Sequence, residues 1–164
     1  MLVLGLDPGL AITGYGLVEG DGEHLRLVAY GVFRTPAKMA KPARLCQLYQ
    51  QLGQALAQYQ PDVAAVEKLF FSTNARTAMM VGEARGVLLL ALAEAGLEIA
   101  EYTPLQIKQA ITGYGQADKQ QVQQMVRILL HLDFIPQPDD AADALAVSIC
   151  HHHTAQMGSL LQQA

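Results

Sequence analysis

The chain has 164 residues, of which 51% are hydrophobic and 16% are charged, and this composition indicates a folded globular domain and excludes a disordered chain. No apolar run approaches the roughly 18 residues that a membrane span needs, and the first residues lack the basic segment of a signal peptide. The net charge of −4 argues mildly against a nucleic-acid partner, although six of the eleven basic residues lie between Lys68 and Arg127. Cys46 and Cys150 are isolated, so we expect a reduced, cytoplasmic protein that is not membrane-bound.

The first half of the chain predicts an antiparallel meander, a helix and a further strand. The strands are short apolar or alternating segments, and the helix has apolar residues at helical spacing. The predicted elements are the strands Leu2–Leu6, Tyr15–Val18 and Leu25–Phe33, the helix Arg44–Tyr59 and the strand Val63–Glu67.

The second half predicts four helices and one strand. Asn74 is a plausible N-cap for a long helix that ends at Glu94, and Gly113-Tyr114-Gly115 is predicted to be a mobile turn between two later helices. The elements after the long helix are the strand Leu97–Tyr102 and the helices Pro104–Ala110, Asp118–Leu130 and Asp139–His153. The order of elements predicts one mixed α/β domain over residues 1–157, with a C-terminal tail over 158–164.

Two of the predicted strands end on an acidic residue. Asp7 opens the turn Asp7-Pro8-Gly9 after the first strand, and Glu67 ends the fourth. A single Asp in a turn usually bonds its own backbone and does nothing else. Two strands that both finish on a carboxylate instead suggest a site at one edge of the sheet.

Three more acids open the last predicted helix. We assign the ordinary helix-capping role to Asp139, directly after Pro138. Asp140 and Asp143 share a helix face, and Asp143 precedes an apolar run, where a carboxylate needs a partner. A cation held jointly with Asp7 and Glu67 would be such a partner, and oxygen ligands without His or Cys favour Mg²⁺ or Mn²⁺. Two such ions are the usual device for displacement at phosphorus.

Several short motifs occur together in an order that resembles the RuvC-type Holliday junction resolvases over about residues 1–157. They are Leu6-Asp7-Pro8-Gly9 with Thr13-Gly14-Tyr15-Gly16, Val66-Glu67-Lys68-Leu69-Phe70, Ala84-Arg85-Gly86, Gln106-Ile107-Lys108-Gln109, Lys119 with Met125-Val126-Arg127, and Asp140-Ala141-Ala142-Asp143. The resemblance implies a ribonuclease H-like fold with a mixed sheet flanked by helices. It also implies a homodimer that makes paired, Mg²⁺-dependent nicks in four-way junction DNA, and a RuvA–RuvB branch-migration partner.

The resemblance also implies roles for individual residues. The metal-binding and catalytic acids would be Asp7, Glu67, Asp140 and Asp143. The residues expected to contact DNA, with Lys119 also catalytic, are Phe70, Arg76, Lys108 and Lys119. Either lysine could instead be an ordinary solvated surface residue. Of Phe70 and Phe71, one is expected in the core and the other could stack on an unpaired base.

Two further patterns have competing interpretations. Ala78, Gly82 and Gly86 recur every four residues along the long helix, and they could pack against the protein's own sheet or form part of a dimer interface. The run His151–His153 suggests a metal site, but adjacent helical residues do not share a face, so we predict a solvent-exposed helix end.

Two other functions remain open from the residues alone. An actin-like ATPase or sugar kinase also begins with a strand, an Asp and a Gly-rich hairpin, but it requires two such domains. A junction-binding scaffold without catalysis is the other alternative, although all four acids are present.

Overall fold

The computed structural model describes residues 1–21, 24–69 and 75–162. In these ranges it contains five strands and five helices, which confirms the predicted mixed α/β, ribonuclease H-like fold. The strands are β1 (Leu2–Asp7), β2 (Ile12–Gly20), β3 (Leu25–Arg34), β4 (Val63–Glu67) and β5 (Glu98–Tyr102). The helices are α1 (Lys41–Tyr59), α2 (Ala75–Glu94), α3 (Pro104–Thr112), α4 (Lys119–Leu129) and α5 (Asp139–Gln162).

The five strands form one sheet in the order β3-β2-β1-β4-β5. The first three strands pair antiparallel, as short hairpin connections allow, whereas β4 and β5 join in parallel after helical crossovers. β1 lies at the centre, and its residues Val3, Leu4 and Leu6 are buried because both faces of the sheet are covered. The parallel pairing of β1 with β4 brings the ends of these two strands to the same edge.

Each face of the sheet carries its own hydrophobic core. Residues of α1 and α2 pack on one face with Leu4, Leu6 and Val66, while α3, α4 and α5 cover the other face with Val3 and Ala65. Helix α5 lies directly on β1 and β2. A Cβ atom on Gly5 would overlap the carbonyl oxygen of Ala144, and one on Gly14 would overlap that of Asp140. These two glycines therefore set how closely α5 approaches the sheet.

The last helix differs from the prediction in length and in its surroundings. It continues to Gln162, so its predicted end at His153 is wrong, and it runs into the segment that we assigned to a tail. The predicted solvent-exposed end is also wrong, because this part of α5 remains packed against the sheet and α3.

The three histidines bind three different elements. His152 is 1% exposed with its Nε2 atom 3.0 Å from the carbonyl oxygen of Val18, His151 Nδ1 is 2.9 Å from the hydroxyl of Tyr102, and His153 Nδ1 is 3.0 Å from the carbonyl oxygen of Ala110. Successive helical residues point about 100° apart, which explains the divergence. Each ring therefore joins α5 to a separate neighbour.

Among the described residues, no helix combines the length and apolar character that a bilayer crossing requires.

Candidate active site

The site begins with two carboxylates at the ends of adjacent parallel strands. Leu6 of β1 pairs with Val66 of β4, so the next residues, Asp7 and Glu67, emerge side by side at one edge of the sheet. Both side chains point to the face that α5 covers, because they follow Leu6 and Val66, which face the opposite core. The two carboxyl groups share a hydrogen bond.

Helix α5 brings its acidic start to the same edge. Asp7 pairs with Gly14 on β2, and the Asp140 carbonyl lies directly against Gly14, so the first turn of α5 rests beside Asp7. Asp143, about one helical turn after Asp140, also faces the ends of β1 and β4. The closeness of Gly14 to α5 thus fixes the distance between the strand acids and the helix acids.

These groups line a cavity of about 300 Å³. Its charged lining comprises Asp7, Glu67, Asp143, Lys108 of α3 and Lys119 of α4. The lysines are held by well-defined helix starts, since Thr103 with Gln106 and Asp118 with Gln121 each form a reciprocal capping box. Asp140 lies beside the cavity rather than in its lining. The structure therefore brings together five predicted site residues and places Asp140 next to them.

Burial and mutual repulsion dominate the electrostatics of the acids. Burial, with the charges of Glu67, Asp143 and Asp140, raises the pKa of Asp7 to about 8. Burial also raises the pKa of Glu67, an effect that Lys108 reduces. The pKa of Asp143 is raised by burial and partly lowered again by Lys119. Without a cation, Asp7 therefore holds a proton near neutral pH and shares it with Glu67.

Lys119 pairs with two aspartates that lie one turn apart on the same face of α5. Its Nζ atom lies 3.1 Å from Asp143 Oδ2 and 3.3 Å from Asp139 Oδ2. Burial alone would lower the pKa of Lys119, but these two carboxylates raise it overall. The ammonium group is therefore fixed at the cavity as a full positive charge.

Asp139 does not have the capping role predicted from the sequence. Helix α5 begins at Asp139 itself, and its carboxylate accepts a hydrogen bond from Gln123 Nε2 at 3.0 Å and pairs with Lys119. The bond from Gln123 and the charge of Lys119 lower the pKa of this exposed group. The physical reason is proximity to α4, which the sequence does not reveal. Asp139 thus ties α4 to α5.

The donor set fits a hard divalent cation, because the cavity acids offer oxygen ligands whose mutual repulsion a cation would relieve. As the side chains stand, no three or more Asp, Glu, His or Cys residues of the described ranges are arranged around one potential ion position. In this arrangement Asp143 is paired with the cation of Lys119, whereas Asp7 and Glu67 are hydrogen-bonded to each other.

Arg76, a further predicted site residue, lies outside this cavity. Arg76 is exposed at the start of α2 and lines a separate groove with Lys41 and Arg44. Phe70 and the predicted N-cap Asn74 lie outside the described residues.

The small-residue row on α2 does not face the sheet. In the described part of the chain a Cβ on Gly86 would meet no atom within 4 Å, and one on Gly82 would only touch Leu69. The sheet-facing side of α2 is formed by Ala84, Leu88 and Leu92 instead.

Sequence reasoning missed a contact made by Arg85. Its Nε atom donates to the carbonyl oxygen of Glu67 at 3.2 Å, and its guanidinium forms an ion pair with Glu101 on β5. The sequence shows a basic residue between Ala84 and Gly86, but nothing in it indicates Glu67 or Glu101 as the partner.

Comparisons with known proteins agree with this architecture. The family model described as crossover junction endodeoxyribonuclease RuvC matches residues 3–151. A crossover junction endodeoxyribonuclease RuvC of Alkaliphilus metalliredigens is 53% identical, with 99% of each chain covered, and one of Desulfitobacterium hafniense is 57% identical, with 96% of this chain and 95% of the relative covered. The solved structure of Thermus thermophilus RuvC in complex with a Holliday junction substrate superposes with a TM-score of 0.92 at 37% identity and 97% coverage of both chains. The chain belongs to the RuvC family of crossover junction endodeoxyribonucleases.

Proposed function

We propose that this protein is a divalent-metal-dependent endonuclease that resolves four-way DNA junctions by hydrolysing phosphodiester bonds. The observation that carries the proposal is the convergence of Asp7, Glu67 and Asp143 in one cavity with Lys108 and Lys119. The Thermus thermophilus relative, whose structure holds a Holliday junction substrate, supports the choice of DNA. The kinase and scaffold alternatives lose their support, because the chain belongs to a nuclease family and retains all four acids.

The proposed cofactor is Mg²⁺, with Mn²⁺ able to substitute and with two ions per subunit. Asp7, Glu67, Asp143 and Asp140 would hold them, because these are the acids that influence one another's ionisation at the strand ends. Such ions, when bound, activate a water molecule and stabilise the leaving oxygen in displacement at phosphorus. Asp140 is a better candidate than Asp139, since its charge acts on Asp7, whereas Asp139 is exposed and engaged with α4.

The two lysines would orient the scissile phosphate. The ammonium group of Lys119 is held in place by Asp143 and Asp139. Because the side chain is still 51% exposed at the cavity, a phosphate oxygen can contact it there. A positive charge held in place before the reaction stabilises the additional negative charge that develops on the phosphate. Lys108 lines the other side of the same cavity. Arg76, which lines a separate groove, and Phe70 are also proposed to contact DNA.

We further propose that the protein acts as a homodimer through the outer side of α2. Paired symmetric nicks require two such sites related by a two-fold axis, which an isologous dimer supplies. Beside the row Ala78, Gly82 and Gly86, the outward side chains Met79 and Leu90 are 67% and 55% exposed. A helix that is apolar on its outer side as well as on its core side is suited to a further contact. The proposed partner is a RuvA–RuvB branch-migration complex. The proposed location is the cytoplasm, with which the free thiols of Cys46 and Cys150 are consistent.

A synthetic four-way junction and a linear duplex of the same sequence test this function together. With Mg²⁺ we expect paired nicks at symmetric positions of the junction, no comparable nicking of the duplex, and no cleavage in EDTA. Equal cleavage of both substrates would contradict junction resolution, and cleavage in EDTA would contradict the metal requirement.

A further inference from the structure

Arg85 connects three elements at the edge of the sheet where the acids emerge. It projects from α2, donates from Nε to the backbone carbonyl of Glu67 at 3.2 Å, and forms an ion pair with Glu101 of β5. Its side chain is only 16% exposed, so this cation is largely removed from water and depends on these partners. The contact with Glu67 is therefore a defined part of the structure rather than a surface encounter.

The contact reaches Glu67 from the face opposite to its carboxylate. Val66 belongs to the core beneath α1 and α2, whereas Ala65 belongs to the core beneath α5. Alternation along β4 therefore directs the Glu67 side chain toward α5 and the cavity. Arg85 lies on the α2 side and touches the peptide unit, so it influences the carboxylate by fixing the backbone that carries it.

The end of β4 is a place where such a restraint matters. Glu67 is the last residue of the strand, and the amide of the following Lys68 donates to the carbonyl of Tyr102 at 2.8 Å. The hydrogen bond from Arg85 adds a second restraint at the same peptide, and the ion pair with Glu101 links that restraint to β5. Groups that orient a ligand in this way commonly change metal affinity about 10–100-fold when they are removed.

We propose that Arg85 is a positioning residue that holds Glu67 in the orientation needed to bind a divalent cation, and that it thereby links the outer helix α2 to the cavity. This inference rests on the proposed metal site. Since α2 is also the proposed dimer helix, the same contact gives the dimer interface a direct connection to one of the four acids.

The test is Mn²⁺ binding to the DNA-free protein, measured by isothermal titration calorimetry, with a thermal melt of each variant by circular dichroism. Arg85→Met removes both contacts, and Arg85→Lys keeps a charge for Glu101 but loses the planar fork that serves both partners. We expect both variants to bind Mn²⁺ about tenfold or more weakly than the unmodified protein.

Two controls separate positioning from a general loss of stability. Glu101→Gln replaces the ion pair with a neutral amide oxygen that can still accept from Arg85, and it leaves the bond from Arg85 to Glu67. Arg26→Met removes another Arg–Glu pair, with Glu19, at the far end of the sheet. Both should bind Mn²⁺ within about twofold of the unmodified protein, because neither change removes the hydrogen bond from Arg85 to the carbonyl of Glu67. Wild-type affinity in Arg85→Lys and Arg85→Met, or an equal loss in Glu101→Gln, would overturn the inference while leaving the proposed function intact. No Mn²⁺ binding by the unmodified protein would instead overturn the proposed metal site, and this inference with it.

Discussion

Asp7 and Glu67 end two neighbouring parallel strands, and their carboxyl groups share a hydrogen bond at the edge of the sheet. Two buried acids so close together cannot both be ionised without a compensating charge, which is why burial and Glu67 raise the pKa of Asp7 to about 8. Ionisation of these acids is therefore unfavourable in the fold by itself and becomes favourable once a cation is bound. This property yields the first prediction.

The metal-free protein should lose stability as the pH rises. Asp7 has a higher pKa in the folded state, about 8, than in the unfolded chain, so the folded state binds more protons between these values. The contribution of Asp7 to the free energy of unfolding is complete below its pKa in the unfolded chain, and it is lost as the pH rises through its pKa in the folded state. In EDTA we expect Asp7→Asn to melt about 5 °C or more above the wild-type protein at pH 8.5, and much nearer to it at pH 5. Equal melting temperatures at pH 8.5 would contradict the assigned environment of Asp7.

The two adjacent aspartates at the start of α5 should differ in their effect. Asp139→Asn keeps an oxygen that can accept from Gln123 Nε2, so we expect cleavage within about threefold of wild type, as for many surface changes. Asp140→Asn should reduce the cleavage rate about 10²-fold or more, because it removes a charge beside Asp7. Single-turnover nicking with Mg²⁺ measures both. An inactive Asp139→Asn beside an active Asp140→Asn would reverse the assignment.

Lys119→Ala should slow cleavage by about 10²-fold while junction binding weakens much less, because one positioned charge is lost from the transition state. Lys119 also lowers the pKa of Asp143, so its removal should raise that pKa and shift the pH–rate profile toward higher pH. Single-turnover rates from pH 6 to 9 show both effects. Lys119→Arg retains the charge and is the matched control. A variant that binds poorly but cuts normally at saturation would make Lys119 only a phosphate anchor.

Gly86→Leu should disrupt the dimer without disrupting the fold. A Cβ there meets no described atom within 4 Å, whereas Gly82 already faces Leu69, so Gly86 tests the outer side of α2 more cleanly. Replacing a helical Gly with Leu should itself favour the helix by up to about 1 kcal/mol. Sedimentation should show a monomer, circular dichroism should show that it is folded, and its nicks in a four-way junction should no longer be paired.

Gly53→Leu is the control for this change, because Gly53 is an exposed glycine of α1 with the same open surroundings among the described residues. It should leave the oligomeric state unchanged. A folded Gly86→Leu dimer would move the proposed interface away from this part of α2.

The strands and the acids at their ends could be predicted from the sequence, because the signals for them are local. Apolar runs of β length that stop at Asp7 and Glu67 are visible in the residues themselves, and parallel pairing then brings their ends together. The interpretation of Asp143 followed from its place beside an apolar helical run. Its position in the cavity agrees with that interpretation.

Features that depend on how helices approach the sheet could not be predicted in this way. The dispersal of His151, His152 and His153 to three partners requires knowing that α5 crosses β2, β5 and α3. The engagement of Asp139 with α4 depends on a helix that is distant in sequence. The contact of Arg85 with Glu67 likewise joins residues from two elements, and no local pattern specifies it.

The most direct test of the metal-dependent nuclease is single-turnover nicking of a synthetic four-way junction by Asp7→Asn across a Mg²⁺ titration, with junction binding measured in parallel without metal. We expect no detectable nicking at any Mg²⁺ concentration and binding within about tenfold of wild type, because the change removes a proposed ligand and no phosphate contact. Nicking by Asp7→Asn near the wild-type rate would contradict the proposed metal site.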